Sequence, residues 1–343
     1  MGNTLLQPVG GRQLNPIKSF EEFVMQNPEL SNRQYLSENK SFRTVQFSIQ
    51  DDAKIIMKAY LKRDVIQLGS YFENLNIIKR RLTTKIYPNL FPYHKFINFE
   101  KNDEDFVAVA RQYVHTTLSD RFQAIPKLTT PEQYWIITQI IIGVYNLHNE
   151  RLFHGNIKAS NILLTTWLHV FITDFASYKP FYINDISQFK YFYFTSELNC
   201  SLAPEKFNNL ENVKDTFLLN DLSNQTIAIL QKMDLFSLGC LITEILLNGE
   251  PLFDYEQLQN YIKNEYDPFK VIKKIPSEKI QKLVGNLIDK DPNQRMRIDE
   301  ILIYWFSEFI PDKGFDLLYY IDAAFLSPNF SSPDVRIGKQ IKL

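Results

Sequence analysis

Eight consecutive residues carry most of the information about the fold: His154-Gly155-Asn156-Ile157-Lys158-Ala159-Ser160-Asn161. Two further short motifs follow it in the chain, Asp174-Phe175-Ala176 and then Ala203-Pro204-Glu205. Farther on lie Asp234-Leu235-Phe236-Ser237-Leu238-Gly239 and the isolated Arg295. A single Asp-Phe pair would carry no information, whereas the order of these motifs is one that chance rarely produces. The order therefore indicates a defined fold rather than a set of unrelated polar residues.

Each of the first three motifs resembles a protein-kinase signature. The resemblance implies an α+β, two-lobed protein kinase fold, in which a small antiparallel-sheet N-lobe with one helix precedes a larger, mainly helical C-lobe. The expected boundaries are an N-terminal extension over residues 1–28, the N-lobe over 29–112, the C-lobe over 113–311 and a C-terminal helical tail over 312–343.

Hydrophobic periodicity in the first part of the chain agrees with a small sheet that carries one helix. Apolar residues alternate or cluster between residues 35 and 62, which is typical of adjacent antiparallel strands. Apolar residues on one face predict a helix over 71–82, and a further strand pair is expected over 95–99 and 106–113.

The rest of the chain has the pattern of buried helices. A helix is predicted over residues 134–147, with its start at Thr130 immediately before a proline. A second central helix is predicted from residue 234 to residue 247, where an Asn-Gly pair ends it. The Asn-rich residues 208–225 are expected to form an inserted surface loop.

Composition excludes several classes of function. The chain has 343 residues with 38 basic and 39 acidic side chains, a formal net charge of -1, so we expect no nucleic-acid partner. Cys200 and Cys240 have no paired spacing and no neighbouring Cys/His cluster, which favours two buried thiols over a zinc site or a disulfide framework. No uninterrupted apolar run reaches the ~20 residues that a membrane-spanning helix needs.

Phosphoryl transfer depends mainly on positioning and on neutralising the charge of the triphosphate. Lys58, at the end of an apolar strand, is predicted to reach the α- and β-phosphates of ATP, and Glu73 on the following helix is the candidate partner for its charge. Asp174 is expected to bind Mg²⁺, and Asn161 can supply a neutral oxygen ligand to the same metal. The alternatives are a surface lysine on an edge strand and a buried structural Asp–Asn pair.

Two departures from the kinase pattern weaken the case for catalysis. Asn156 stands where the catalytic aspartate is expected, and its amide cannot accept the proton of a substrate hydroxyl. Its oxygen could still orient a hydroxyl, and Lys158 could still neutralise the moving phosphoryl group, which leaves room for low residual activity. No glycine occurs between Gly11 and Gly69, so the turn expected at residues 37–41 presents side chains where a glycine-rich loop would approach the phosphates. We therefore expect weak nucleotide binding.

Three motif residues are predicted to be structural. Glu205 and Arg295 are expected to form a buried ion pair, and Asp234 is expected to hold the backbone of residues 154–161. Gly155 takes the place of an arginine that in many kinases binds a phosphorylated activation loop, so control by that switch is not expected.

The residues within and around these motifs indicate one particular family of kinase-like proteins. The sequence closely resembles the regulatory, protein-kinase-like subunit of the class III (vacuolar protein sorting) phosphatidylinositol 3-kinase complex. The segments that carry this resemblance are residues 1–3, 111–114, 120–121, 154–155, 165–170, 172–180, 201–207 and 251–254.

This resemblance implies a chain that recruits and regulates the class III phosphatidylinositol 3-kinase catalytic subunit at endosomal and autophagic membranes. It also implies a cytoplasmic protein attached to the membrane surface through a myristoylated Gly2. Family members usually have an aspartate at the position of Asn156, and they continue into helical repeats and a propeller that this sequence does not contain. The rival interpretations are a working serine/threonine kinase that uses ATP with Mg²⁺, and a scaffold whose site is empty.

Overall fold

The structure is a computed structural model. It describes residues 18–38, 42–49, 53–61, 68–99, 106–175, 179, 182–183, 185–193, 199–207 and 218–310. Several predictions concern residues outside these ranges: Gly2, the centre of the turn at 37–41, the first part of the loop at 208–225 and the tail over 312–343. They remain predictions.

Five strands form an antiparallel sheet in the spatial order β1-β2-β3-β5-β4. They are β1 (Ser31–Glu38), β2 (Phe42–Ser48), β3 (Lys54–Leu61), β4 (Lys95–Phe99) and β5 (Phe106–Gln112). The predicted strands are thus confirmed, with β4 and β5 at the expected places.

An additional helix, α1 (Lys18–Gln26), packs against this sheet. Phe20 and Phe23 are 1% and 3% exposed, and the ring of Phe20 lies 6.3 Å from that of Phe47 on β2. Because these side chains belong to the core beneath the sheet, the interpretation of residues 1–28 as a mere extension is wrong for α1. The apolar residues Phe20, Phe23 and Val24 span little more than one turn, which is too short a periodicity to predict a helix from the sequence.

The helix carried by the sheet is α2 (Leu68–Thr83), which contains the predicted residues 71–82. Leu75 and Ile78 are each 2% exposed, so the predicted apolar face does point into the core. At its far end, Arg81 Nη1 donates to the carbonyl oxygens of Glu150 and Arg151, each at 3.2 Å. The helix is therefore tied to the helical part of the protein as well as to the sheet.

Helices make up most of the C-lobe: α3 (Leu118–Gln123), α4 (Thr130–Asn149), α5 (Ile186–Phe192), α6 (Asn224–Leu246), α7 (Tyr255–Ile262), α8 (Phe269–Ile272), α9 (Glu278–Leu287) and α10 (Ile298–Phe309). A three-stranded sheet consists of β6 (Thr116–Thr117), β7 (Ile162–Leu164) and β8 (Val170–Ile172). The β7–β8 hairpin connects residues 154–161 to Asp174 and so brings the two motifs side by side. The α+β, two-lobed fold is confirmed.

Of the two central helices, α4 begins at Thr130 as predicted, whereas α6 begins ten residues earlier than predicted. The cap of α4 is Thr129, whose backbone N–H donates to Glu132 Oε2 at 2.7 Å. The cap of α6 is Ser223, whose hydroxyl accepts a hydrogen bond from the backbone N–H of Thr226 at 3.1 Å. The first residues of α6, Asn224 and Gln225, are polar and continue the Asn-rich stretch, so the sequence groups them with the loop. The buried apolar residues Ile227, Leu230 and Met233 begin only after them.

The helix α6 is long and apolar enough to cross a membrane by length and composition alone. However, 72% of its most apolar window is buried inside the protein, as expected of a core helix.

Candidate functional site

Lys58 and Arg111 project from the same face of the five-stranded sheet. Lys58 on β3 pairs with Val109 on β5, and Arg111 on β5 pairs with Ile56 on β3. Residues paired across strands share a face, and so do residues two apart in one strand. The register of two strands therefore places two cationic side chains together, on the side of the sheet where Asp174 lies.

Asp174 is contacted by three side chains from the N-lobe and the segment before β4. Lys58 Nζ lies 2.6 Å from its Oδ1, and the hydroxyl of Tyr93 donates to the same oxygen. Arg111 Nη2 lies 4.0 Å from its Oδ2. Burial raises the pKa of this carboxyl group, but the charges of Lys58 and Arg111 outweigh burial and hold the pKa of Asp174 below its usual value. Asp174 is therefore ionised and already surrounded by positive charge.

Asp234 holds the backbone of the stretch 154–161. It is 1% exposed on α6, and its Oδ2 and Oδ1 accept hydrogen bonds from the backbone N–H groups of His154 at 2.7 Å and Gly155 at 2.8 Å. The ring of His148 on α4 lies 3.2 Å from Oδ2. One buried carboxylate thus joins two central helices to the loop, as expected from the motif.

His154 connects this loop to the segment that carries Asp174. Its Nε2 donates to the carbonyl oxygen of Thr173 at 2.8 Å, and its Nδ1 accepts the backbone N–H of Asn156 at 3.2 Å. This pattern requires the neutral tautomer with the proton on Nε2. Burial lowers the pKa of His154, which favours the same neutral form.

Asn156 and Asn161 are joined directly. Asn161 Nδ2 donates to the carbonyl oxygen of Asn156 at 2.8 Å, and the backbone N–H of Thr173 donates to the carbonyl oxygen of Asn161 at 3.1 Å. Asn156 is 7% exposed and Asn161 is 6% exposed. A neutral amide therefore occupies the position expected for a proton acceptor, inside a loop whose backbone is well fixed.

Lys158 lines a cavity of about 160 Å³. Burial lowers the pKa of Lys158 to about 8, with a smaller effect from the charge of Lys58. Cys200 and Cys240 line the same cavity as free thiols, as expected from their spacing. Burial raises the pKa of Cys200 to about 12, which makes it a poor nucleophile.

The structure does not bring Glu73 to Lys58. Glu73 is exposed on α2, and among the described residues no ion pair joins it to Lys58, whose carboxylate partner is Asp174. The neighbouring Asn74 is 0% exposed, and its Oδ1 accepts the backbone N–H of Leu219 at 2.8 Å. Packing of the apolar face of α2 turns the amide inward and the carboxylate outward, so the predicted partnership of Lys58 and Glu73 is corrected.

Glu205 and Arg295 form a two-bond ion pair in the interior. Arg295 Nη1 and Nη2 donate to Oε1 and Oε2 of Glu205 at 2.7 and 2.8 Å. The two residues are 6% and 2% exposed, and Nη1 also donates to the carbonyl oxygen of Lys232 at 2.8 Å. The pair therefore ties the Ala-Pro-Glu motif to the end of the C-lobe.

Sequence reasoning missed Tyr93 and Arg111 as site residues. Tyr93 precedes β4 in a segment without a recognisable motif, so no sequence signal identifies it. Arg111 carried a usable signal, since an arginine near the end of an apolar strand is unusual and is 3% exposed here. Its relation to Asp174 depends on strand register, which the sequence does not state.

The donor types of the site suit Mg²⁺, but its charge balance does not. Asp174 and Asn161 offer oxygen atoms, the ligands that this metal prefers. Lys58 and Arg111, however, already compensate the charge of Asp174. No group of three or more His, Cys, Asp or Glu side chains placed to hold a metal occurs in the part of the chain that the structure describes. These four residues, Lys58, Arg111, Asn161 and Asp174, meet between the two lobes in what we call the cleft. Its cations suit a polyphosphate better than its oxygen ligands suit a divalent metal.

Comparison with protein families matches residues 93–306 to the Protein kinase domain. The match includes all the motifs from His154 to Arg295. The chain belongs to the protein kinase family, whose members in general use ATP with Mg²⁺.

Three relatives narrow this assignment. The chain is 32% identical over 274 residues to the serine/threonine-protein kinase VPS15 of Arabidopsis thaliana, an alignment that covers 79% of this chain and 18% of the relative. It is 32% identical over 316 residues to the probable serine/threonine-protein kinase vps15 of Dictyostelium discoideum (90% and 15%). For serine/threonine-protein kinase VPS15 of Saccharomyces cerevisiae the identity is 30% over 294 residues (83% and 19%). These relatives confirm the predicted resemblance, and the chain spans less than a fifth of the length of each.

Proposed function

We propose that this chain is a kinase-like regulatory subunit of a class III phosphatidylinositol 3-kinase complex, acting in endosomal sorting and autophagy, with weak or no phosphotransfer of its own. The observation that carries the proposal is Asn156. Its backbone is fixed by His154 and Asn161, as a catalytic loop requires, while its side chain cannot serve as a base. The loop geometry is retained and the proton acceptor is absent.

Without a base, this site can still bind a nucleotide and position its phosphates. Loss of a positioned base costs a factor of ~10²–10⁴ in rate. Lys158 remains mostly protonated at neutral pH because its pKa is lowered only to about 8, so it can still attract a phosphoryl group. Lys58 is held by Asp174 and can turn to a phosphate without leaving the cleft. This set of residues supports nucleotide binding more than turnover.

The proposed partner is the class III phosphatidylinositol 3-kinase catalytic subunit, and the proposed location is the cytoplasmic surface of endosomal or autophagic membranes. The vacuolar sorting proteins among the relatives support this role. A myristoylated Gly2 would supply membrane contact, although one such chain gives an association constant of only ~10⁴ M⁻¹. Stable attachment would therefore depend on the partner as well.

The second candidate function is an active ATP-dependent serine/threonine kinase. The ion pair of Lys58 with Asp174 favours it, since both residues are charged and directed into one cleft. Asn156 would then orient the substrate hydroxyl, and solvent would accept its proton.

Radiolabel transfer from ATP separates the two candidates. The regulatory proposal predicts little transfer by the wild type, a rise of about 10²-fold or more in Asn156→Asp, and loss of that gain when Lys58→Met is added. Robust wild-type turnover that falls in Lys58→Met would establish the kinase instead.

Two further measurements test the assembly. The chain expressed in cells should co-purify with the lipid kinase, and failure to recover it would count against the regulatory role. Intact mass should show a myristoyl adduct on Gly2, and an unmodified terminus from a competent host would exclude lipid attachment.

A further inference from the structure

Arg111 places a buried guanidinium group, with an Nε–H that is unpaired in the described part of the chain, beside Asp174. It is 3% exposed, and Nη1 donates to the carbonyl oxygen of Gln112 at 3.2 Å. Its guanidinium carbon lies 5.9 Å from the ring centroid of Tyr93, and its Nε–H has no acceptor among the described residues. A guanidinium has five N–H donors and keeps its charge in proteins, so this group can still bind an oxyanion.

The same group opposes a divalent metal at Asp174. A Mg²⁺ bound to Oδ2 at its usual ~2.1 Å would lie within about 6 Å of Arg111 Nη2, which itself is 4.0 Å from that oxygen. Like charges at this separation repel strongly where water is excluded. The other oxygen, Oδ1, already accepts hydrogen bonds from Lys58 and Tyr93. A metal at Oδ1 would therefore have to displace a donor, and a metal at Oδ2 would lie against the charge of Arg111.

We propose that this cleft binds a nucleoside triphosphate without a divalent metal, with Arg111 and Lys58 supplying the positive charge that Mg²⁺ supplies in other kinases. The inference rests on the nucleotide site of the proposed function and identifies the form of its ligand. Asp174 then holds the two cations in place and does not act as a metal ligand. The strand register that brings Lys58 and Arg111 to one face is the structural basis of the site.

Isothermal titration calorimetry of the wild-type chain with ATP tests this proposal, once with excess EDTA and once with Mg²⁺ at matched ionic strength. The expected result is binding in EDTA at least as tight as binding with Mg²⁺. A second readout is the paramagnetic resonance signal of free Mn²⁺, which the protein should not reduce below the level set by ATP alone. Affinity that rises more than about tenfold with Mg²⁺, or no binding in EDTA, would overturn the proposal.

Substitution of Arg111 supplies the matched test. Arg111→Leu should weaken binding in EDTA by about tenfold or more, and Mg²⁺ should then restore part of the affinity. Arg111→Lys keeps the charge, so it should retain more metal-free binding than Arg111→Leu; equal losses in both would refute the role of the charge. Melting curves report whether each variant folds. Arg297→Leu, which replaces an arginine at the surface, should change the affinity for ATP neither in EDTA nor with Mg²⁺.

This outcome is separable from the test of the proposed function. ATP binding that requires Mg²⁺, without phosphotransfer, would overturn the metal-free site and leave the regulatory role in place. Tight binding in EDTA together with robust wild-type phosphotransfer would support the metal-free site and overturn the regulatory role.

Discussion

Lys58 Nζ lies 2.6 Å from Asp174 Oδ1, and this ion pair joins the N-lobe sheet to a loop of the C-lobe. Both side chains are 13% exposed. A charge this poorly hydrated depends on its partner, so removing one member leaves the other uncompensated. The pair is therefore a structural link between the lobes as well as part of the nucleotide site.

Lys58→Met should lower the free energy of unfolding by about 3 kcal/mol, because it leaves the Asp174 carboxylate with Arg111 as its remaining cationic neighbour. Urea denaturation followed by circular dichroism measures this loss. The matched control is Glu73→Gln, at an exposed position of α2, which should change the free energy of unfolding by less than about 0.5 kcal/mol. An equally large loss in the control would mean that Glu73 does support Lys58.

Asp234→Asn should loosen the loop that carries Asn156. The substitution replaces one charged acceptor with an NH₂ group, so at least one of the two backbone N–H groups, of His154 or Gly155, loses its acceptor. Loss of a charge-assisted hydrogen bond corresponds to about 10- to 100-fold faster exchange of the affected amide. Hydrogen–deuterium exchange measures it, with Asp299→Asn, at a half-buried position on α10, as control. Unchanged protection of both amides would show that Asp234 does not hold the loop.

Arg295→Met should destabilise the protein by about 3–5 kcal/mol, because it leaves the Glu205 carboxylate buried without its partner. Adding Glu205→Met should recover much of this loss, since the uncompensated charge is then removed. Thermal and urea unfolding of the single and double variants form the test. Arg297→Met at the surface serves as control, and a double variant no more stable than Arg295→Met would contradict this account.

Lys206→Met should stabilise the protein at neutral pH. Lys206 is 6% exposed, and burial lowers its pKa from 10.5 to about 8. Between those two values the unfolded chain binds more protons than the folded one, so wild-type stability rises with pH there and the full cost is present below pH 8. The variant removes a cost of about 3 kcal/mol at pH 7.

The difference between wild type and Lys206→Met should therefore shrink from pH 8 to pH 10.5, as measured by unfolding at a series of pH values. A constant difference would show that Lys206 is not the group that titrates. Lys158 also has a pKa lowered to about 8, so the free energy of unfolding of the variant should still rise with pH over this range, but less steeply than that of the wild type. As a control, Lys270→Met, at an exposed position, should leave the pH dependence of the free energy of unfolding unchanged.

Much of the fold was predictable because motifs and periodicity are local. The order of the motifs predicted a kinase fold, and apolar alternation predicted the strands of the N-lobe sheet. A local pattern, however, does not tell which of two neighbouring polar residues is buried. At α2 the sequence offers Glu73 and Asn74 side by side, and only the packing of the apolar face decides that Asn74 turns inward.

An asparagine amide cannot accept a proton in any fold, so the missing base at Asn156 follows from the sequence alone. The charge balance at Asp174, in contrast, is set by the folded structure. Lys58, Tyr93 and Arg111 are distant from it in the chain and reach it through strand register and lobe packing. Electrostatic energy depends on distance in space and on exclusion of water, and neither quantity is contained in a local sequence pattern.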